Sequence, residues 1–291
     1  MKSYCTTLNG VLYQTDCLEL LANMKSETID TVFADPPFNI GKDYKNGFVD
    51  TVSKEEYYKW CEQWIFECCR VLKPGGAFFL YALPEIAVRL ANILEKRMQF
   101  RHWIALTMKG SYPRGNKLYP AHYALLYYTR GQVKTFNHLR IPIPACRHCG
   151  KELKDYGGHR DKLNPEGINL SDFWEDTSPN RHKKFKVRPG VNELKLIIPE
   201  RAILISTNEM DIVFDPFGGG GSTYEAAEKN NRRWIGTELY DGNHIETRMT
   251  SAFPFSAGKI PNFSYKELMN ENNDDEVLRW IEGKNMQARA V

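Results

Sequence analysis

The sequence predicts an α/β protein with a doubly wound, mostly parallel sheet and one inserted irregular lobe. Short apolar runs alternate with amphipathic helical stretches along most of the chain, the pattern of a sheet covered on both faces. Four glycines, Gly218 to Gly221, stand between an apolar run and a helical stretch. Between residues 131 and 190 the alternation stops. The chain divides accordingly into residues 1–130, an insertion over 131–190, and residues 191–291.

Val11–Asp16 reads as a short strand ending in an acid, and Cys17–Met24 as a short helix. Thr28–Ala34 (TIDTVFA) has the length and composition of a buried parallel strand. Asp35-Pro36-Pro37-Phe38 closes it. Each proline fixes its own φ, lacks an N–H and pushes the preceding residue to extended angles. The result is a stiff strand end, with Asp35 and Phe38 flanking carbonyls that lack partners within the segment. Open parallel sheets bind ligands at the carboxyl ends of their strands, so the tetrapeptide is a candidate site. The competing reading is a proline-rich turn whose Asp caps the next helix.

Gly41–Asp50 is polar and aperiodic, a loop after the candidate site. Ser53 with Glu56 three residues on is a capping-box pattern. The helix it starts carries Tyr57, Trp60, Trp64, Cys68 and Val71 at core-facing spacing. Lys73-Pro74-Gly75-Gly76 reads as its stop and Ala77–Ala82 as the next strand. Pro84–Phe100 reads as a second amphipathic helix. His102–Met108 and Ala124–Arg130 read as two strands, joined by a loop carrying Tyr112, Arg114, Lys117 and Tyr119.

The insertion holds 12 Lys and Arg against 7 Asp and Glu, a net of +5. The rest of the chain holds 27 against 29, so the basic surplus is local. Sixty aperiodic residues inside a compact domain point to a functional lobe. Beyond it, Asn192–Thr207 reads as a helix started or interrupted by Pro199. Asp211–Phe217 is a strand, Ser222–Asn231 a helix, Arg232–Glu238 a strand and His244–Ser251 a helix. Ser264–Glu282, with Leu268, Val277, Trp280 and Ile281, reads as a peripheral helix.

A chain of 291 residues with 42% hydrophobic content can bury a sizeable core. Its net charge of +3 excludes nothing. The absence of a run of eighteen apolar residues speaks against a membrane span. The N-terminus (MKSYCTTLNG) lacks the apolar stretch of a secretory signal. Seven cysteines, five of them in ordinary helix or strand contexts, suit packed, reduced thiols in a cytoplasmic protein.

The glycine run follows Phe214-Asp215-Pro216-Phe217 and precedes Ser222-Thr223. Glycine serves where backbone must approach a ligand closely or take positive φ, and the helix start behind it attracts an anion. The next strand ends in Glu238, 17 residues beyond Gly221. An acid there accepts hydrogen bonds from ribose hydroxyls in dinucleotide-type folds, so a nucleoside-bearing cofactor is expected. A simple turn is the bland alternative. The run is not a P-loop, because Gly-Lys-Ser/Thr is absent, and Ser222 and Thr223 break the nicotinamide pattern.

Together the two halves resemble the amino-group DNA methyltransferases that use S-adenosylmethionine. The marks are Asp35-Pro36-Pro37-Phe38, a D-P-P-Y/F/W motif, and Phe217-x-Gly219-x-Gly221, an F-x-G-x-G motif. The catalytic motif comes first and the cofactor motif last, which is the beta arrangement, with target recognition between them. Asp16-Cys17-Leu18-Glu19-Leu20, Arg70 to Gly76 and Asp215 to Gly219 echo the family further. The resemblance covers roughly residues 8–130 and 190–250. It implies a Rossmann-like, class I methyltransferase fold, with 1–130 the catalytic half, 131–190 the recognition insertion and 191–291 the cofactor half with a C-terminal helix.

Its implied chemistry follows from the residues. The lone pair of an exocyclic amine is delocalised into its base. Asp35 Oδ and the Pro36 carbonyl can each accept one N–H, localising that lone pair toward a methyl donor. Pro37 stiffens the segment, and Phe38 would stack on a base that has left the duplex. By resemblance, Phe217, Gly219 and Gly221 wrap the methionine end, Glu238 the ribose, and Asp16 with Cys17 the adenine side. Asp35 and Asp215 complete that cofactor set. One departure stands out: where the family carries a His-Pro-x-x-Lys-Pro-like stretch, this chain has Val191-Asn192-Glu193-Leu194, with Lys195 nearby.

Asp at the first motif position favours adenine N6 as the target, since cytosine N4 enzymes of the family more often carry Ser there. Cytosine N4 is the alternative, and a catalytically silent DNA-binding module is a third reading. Amide-modifying relatives place Asn at that position. In the insertion, Arg181, Lys183, Lys184, Lys186 and Arg188 form the densest basic run, expected to meet phosphates of double-stranded DNA. Cys146 and Cys149 have zinc-knuckle spacing, but no second cysteine pair follows. His138 and His159 are the other donors there, and two structural thiols are preferred over zinc, with no metal needed for catalysis. A cognate restriction endonuclease and either a monomer or a homodimer are compatible with the resemblance.

Overall fold

The computed structural model describes residues 2–41, 51–108, 115–116, 118–143, 145, 149–150, 157–158, 162, 164–177, 194–259, 261 and 268–270. Nine strands form one sheet, in the order β1 (Lys2–Thr6), β2 (Gly10–Gln14), β11 (Arg233–Glu238), β10 (Ile212–Asp215), β3 (Ile29–Ala34), β4 (Leu72–Ala82), β6 (His122–Thr129), β5 (Gln99–Thr107) and β9 (Phe173–Trp174). The run from β2 to β4 is parallel throughout. β1 is an antiparallel edge strand. The β5–β6 pair expected as two strands joined by a loop forms a hairpin, and β6 lies antiparallel between β4 and β5. A separate two-stranded ribbon joins β7 (Arg140–Ile141) to β8 (Ile168–Asn169).

Alternate residues of each strand feed opposite faces. On one face, Val32, Phe78, Leu80 and Phe214 pack with α1 (Cys17–Asn23), α2 (Lys54–Val71) and α3 (Pro84–Leu94). On the other, Phe33, Phe79 and Val213 meet α4 (Ile197–Ser206), α5 (Ser222–Lys229) and α6 (Asn243–Ala252). α2 starts as its sequence dictates. Ser53 Oγ accepts the Glu56 N–H, and the Glu56 carboxylate accepts the Ser53 N–H, both at 3.2 Å.

Three boundaries differ from expectation. α2 passes straight into β4, so Lys73-Pro74-Gly75-Gly76 lies inside a strand. The cause is tertiary: the Gly75 N–H donates to the Arg130 carbonyl at 2.6 Å, and the Arg130 N–H returns to Gly76 at 2.9 Å. α3 stops at Leu94, because Gln99 and Phe100 already pair with β6. Most of the helix expected over Ser264–Glu282 lies outside the described residues. Within it, Met269 forms an isolated antiparallel bridge with Met24, and Leu268, in a turn beside it, is buried as well.

Parts of the insertion belong to the main domain. Asn137 Nδ2 donates to the carbonyls of Leu204 and Thr207 at the end of α4. Trp174 of β9 is buried, with Arg201 over its ring at 5.2 Å. The turn Glu175–Thr177 is held by a two-pronged pair from Arg201 to Asp176, both contacts 2.7 Å.

At the amino end of β3, Asp30 is only 5% exposed. Lys73 Nζ lies 2.7 Å from its Oδ2, Lys134 Nζ 3.8 Å from its Oδ1, and the Ile212 N–H donates to it at 3.0 Å. A buried carboxylate deprived of its cation is strongly unfavourable. Lys73→Met should therefore destabilise the fold by about 3 kcal/mol, the low end for a broken buried pair because Lys134 remains. Urea unfolding measures it, and a loss under 1 kcal/mol would mean the pair is solvated.

Candidate active site

β3 and β10 are parallel neighbours, with Thr31 opposite Val213 and Val32 opposite Phe214. The chain leaves β3 toward α2 on one face and β10 toward α5 on the other. The chain thus leaves the two adjacent carboxyl ends on opposite faces, the kind of place where such sheets bind ligands. Asp35, just past β3, is near enough for its charge to act on Asp215 at the end of β10. The two sequence motifs meet there.

On the β3 side Asp35 is half-buried and Pro36 buried. The Tyr57 hydroxyl of α2 donates to the Pro37 carbonyl at 2.9 Å, fixing the segment from below. Asn39 takes a left-handed φ of 52° and exchanges two 2.9 Å bonds with the Val52 peptide, closing the base of the following loop. Phe38 packs at 6.1 Å on Tyr81, which stacks at 5.0 Å on Tyr123. Burial, reinforced by the Asp35 charge, pushes the Tyr81 hydroxyl far above its ordinary range. It remains a neutral hydroxyl beside the carboxylate.

On the β10 side Asp215 is 3% exposed. It accepts the Phe217 N–H at 2.9 Å and a hydrogen bond from the Thr223 side chain. Burial raises its carboxyl well above the usual range, and the negative charges of Asp35 and Glu238 add to the rise. The glycine turn is closed by Gly221 N–H to the Gly218 carbonyl and by Gly218 N–H to that of Thr237, both 2.7 Å. Gly219 and Gly221 take φ of 48° and 76°, which suits glycine. Glu238, at the end of β11, accepts the Gly219 N–H at 3.0 Å. The Phe217 ring is edge-on to Trp64 at 5.0 Å and to Trp60 at 5.7 Å, so the start of the glycine turn leans on α2, the helix that also holds Pro37.

Glu238 also pairs in register with Gln14, which brings Asp16 to the same edge. Asp16 caps α1, accepting the Leu18 N–H at 2.8 Å. The Cys17 side chain is buried in the core, its thiol pushed far up by burial with Asp16 adding, so what it offers a ligand is backbone. Arg181, Lys183, Lys184, Lys186 and Arg188 lie outside the described residues, as do Cys146 and His159. Cys149 is an exposed thiol, and His138 packs edge-on against Phe136 at 5.1 Å. Among the described residues no three His, Cys, Asp or Glu side chains gather as metal ligands. No described helix is long and apolar enough to cross a membrane.

Sequence reasoning passed over Tyr57, Tyr81, Tyr123 and Thr223. Tyr81 had a signal: its position at the carboxyl end of a strand beside the Asp35 strand.

The comparisons with known proteins agree with this geometry. Residues 29–246 match the N6_N4_Mtase family, described as DNA methylase. The chain belongs to that family. Over 250 residues it is 48% identical to the type II methyltransferase M.BamHI of Bacillus amyloliquefaciens, covering 86% of this chain and 59% of that protein. Over 228 residues it is 31% identical to the type II methyltransferase M.HpaI of Haemophilus parainfluenzae, covering 77% and 68%. The M1.HpyAVI–SAM complex superposes with a TM-score of 0.55 at 20% identity over 82% of this chain and 98% of that one, a likeness of fold. The chain thus spans less than two thirds of the length of M.BamHI.

The raised Asp215 carboxyl sets a pH dependence. Its folded pKa exceeds its unfolded value, so the folded state binds the extra proton and stability falls as pH rises between the two. Relative to Asp215→Asn, the wild-type protein should lose stability from about pH 4 upward until the raised pKa is passed. Urea unfolding of both proteins across that range checks it; parallel stability curves would refute the assignment.

Proposed function

We propose that this N6/N4 methylase transfers a methyl group from S-adenosylmethionine to an exocyclic amine of a base in double-stranded DNA, with adenine N6 as the target. The observation that carries the reading is the meeting of Asp35-Pro36-Pro37-Phe38 with the glycine turn and Glu238 at one sheet edge. The residues suit that cofactor: glycine-turn backbone for the methionine end, and Glu238 with Asp16 toward the nucleoside. Bound S-adenosylmethionine supplies an electrophilic sulfonium methyl.

The chain's own residues act on the amine. Asp35 Oδ and the Pro36 carbonyl accept its two N–H groups and turn its lone pair out of the ring plane. As the amine nitrogen takes up the methyl group that bound S-adenosylmethionine would supply, Asp35 would accept the proton the amine gives up. Tyr57 holds the carbonyl next along the segment, so the two acceptors keep their spacing. Phe38, backed by Tyr81, offers a stacking face to a flipped base. Positioning of donor and acceptor supplies much of the rate.

The same clamp would serve cytosine N4, which the family name joins with N6, so cytosine N4 is the second reading. Asp at position 35 favours adenine through the resemblance. The complete tetrapeptide speaks against a silent DNA-binding module. In sequence, the basic run 181–188 stands between Asp176, held by Arg201, and Leu194, whose carbonyl accepts the Ser222 hydroxyl at 2.9 Å. The local basic surplus supports residues 131–190 as the DNA-recognition insertion. A restriction endonuclease partner fits the type II designation of the relatives.

Asp35→Ala should abolish methylation while S-adenosylmethionine binding stays within a few-fold of wild type; near-normal turnover would sink the mechanism. Mass spectrometry of nucleosides from treated DNA should give N6-methyl-2′-deoxyadenosine, whereas N4-methyl-2′-deoxycytidine would transfer the assignment to the second reading. Replacing Lys183, Lys184 and Lys186 by Ala should flatten the log–log salt dependence of DNA binding by about 2.7, at roughly 0.9 per phosphate contact. An unchanged slope would place that run away from the DNA.

A further inference from the structure

The glycine turn is held from behind by one face of α6. His244 and Arg248 are four residues apart and project together. His244 Nε2 bonds the Gly219 carbonyl, which requires the tautomer with hydrogen on Nε2. Arg248 Nη1 donates to the Gly220 carbonyl and, at 3.0 Å, to the Ser222 hydroxyl. Its Nε lies 2.8 Å from Glu225 Oε2 on α5, which fixes the guanidinium. Between them Ile245 backs Gly221 so closely that a Cβ there would sit 3.1 Å from its Cγ2.

These contacts decide where the turn's amides point. In a trans peptide the C=O and N–H are opposed. Drawing the Gly219 carbonyl toward His244 therefore turns the Gly220 N–H away from α6. Drawing the Gly220 carbonyl toward Arg248 turns the Gly221 N–H onto the Gly218 carbonyl, as observed. With the Gly219 N–H already on Glu238, the Gly220 N–H is the turn's outward donor, and among the described residues it has no acceptor.

We propose that Arg248 and His244 are positioning residues for the cofactor, orienting the glycine turn through its carbonyls so that the Gly220 amide faces the cofactor's anionic end. This rests on the proposed use of S-adenosylmethionine. Neither residue touches the amine, so their loss should weaken cofactor binding and spare the chemical step. Arg248→Met keeps the stem and removes the donors. Its dissociation constant for S-adenosylmethionine, by calorimetry on the full chain, should rise about tenfold, with KM for the cofactor rising in parallel and kcat within twofold. Arg248→Lys, which keeps one donor, should recover part of the loss. His244→Leu should show the same split, and it decides the matter if Arg248→Met does not fold. Cofactor affinity within twofold of wild type, or a fall in kcat with KM unchanged, would overturn the inference. Failure of the wild-type protein itself to bind S-adenosylmethionine would instead overturn the function on which it rests.

Discussion

The parallel pairing of β3 with β10 is the constraint on which the rest of the site depends. The strands are about 180 residues apart in sequence, yet two of their residues face one another directly. Everything the site needs follows from that adjacency, because each strand delivers its motif at the same height. The entropy of closing a loop grows only logarithmically with its length, by about 0.6 kcal/mol per doubling. A long insertion between the two strands is therefore tolerated, provided its ends are secured. Asn137 on the end of α4 and Asp176 on Arg201 do this.

The price of the adjacency is negative charge. Asp35, Asp215 and Glu238 gather at one edge, and burial there disfavours the charged form of the deepest of them, Asp215. The structure divides the roles. Asp215, the most buried, is the one whose carboxyl is driven up, and it accepts the Phe217 N–H and the Thr223 side chain. Glu238 spends its charge on the Gly219 amide. Such an edge suits a sulfonium cation and repels a phosphate backbone. The chain's basic surplus lies elsewhere, in residues 131–190.

Much of this was legible in the residues, for identifiable reasons. The alternation of apolar runs, the Ser53–Glu56 cap and the two motifs are local signals, and local physics produced them. Lys73 to Gly76 misled because glycine and proline mark turns, whereas here the Arg130 backbone, nearly sixty residues away, completes the ladder. Cys17 was read with its neighbour Asp16, but only the helix start at residue 17 decides that its thiol faces the core. Tyr57 was visible as an apolar helical position. Its hydroxyl acts through Pro37, a contact that no spacing rule reports.

That contact exposes how the two motifs are coupled. α2 carries Tyr57, Trp60 and Trp64 at intervals of three and four, one face of one helix. Tyr57 reaches the Pro37 carbonyl, while Trp60 and Trp64 receive the Phe217 ring. The same rigid rod therefore supports both Asp35-Pro36-Pro37-Phe38 and the Phe217–glycine motif. Its first turn is closed at Ser53, one turn before Tyr57, by the reciprocal bonds with Glu56. A shift of that helix along its axis would move both motifs together and preserve their spacing. A change in an individual ring would move only one of them. The spacing of the two motifs is thus fixed by side chains on α2 as much as by the strands.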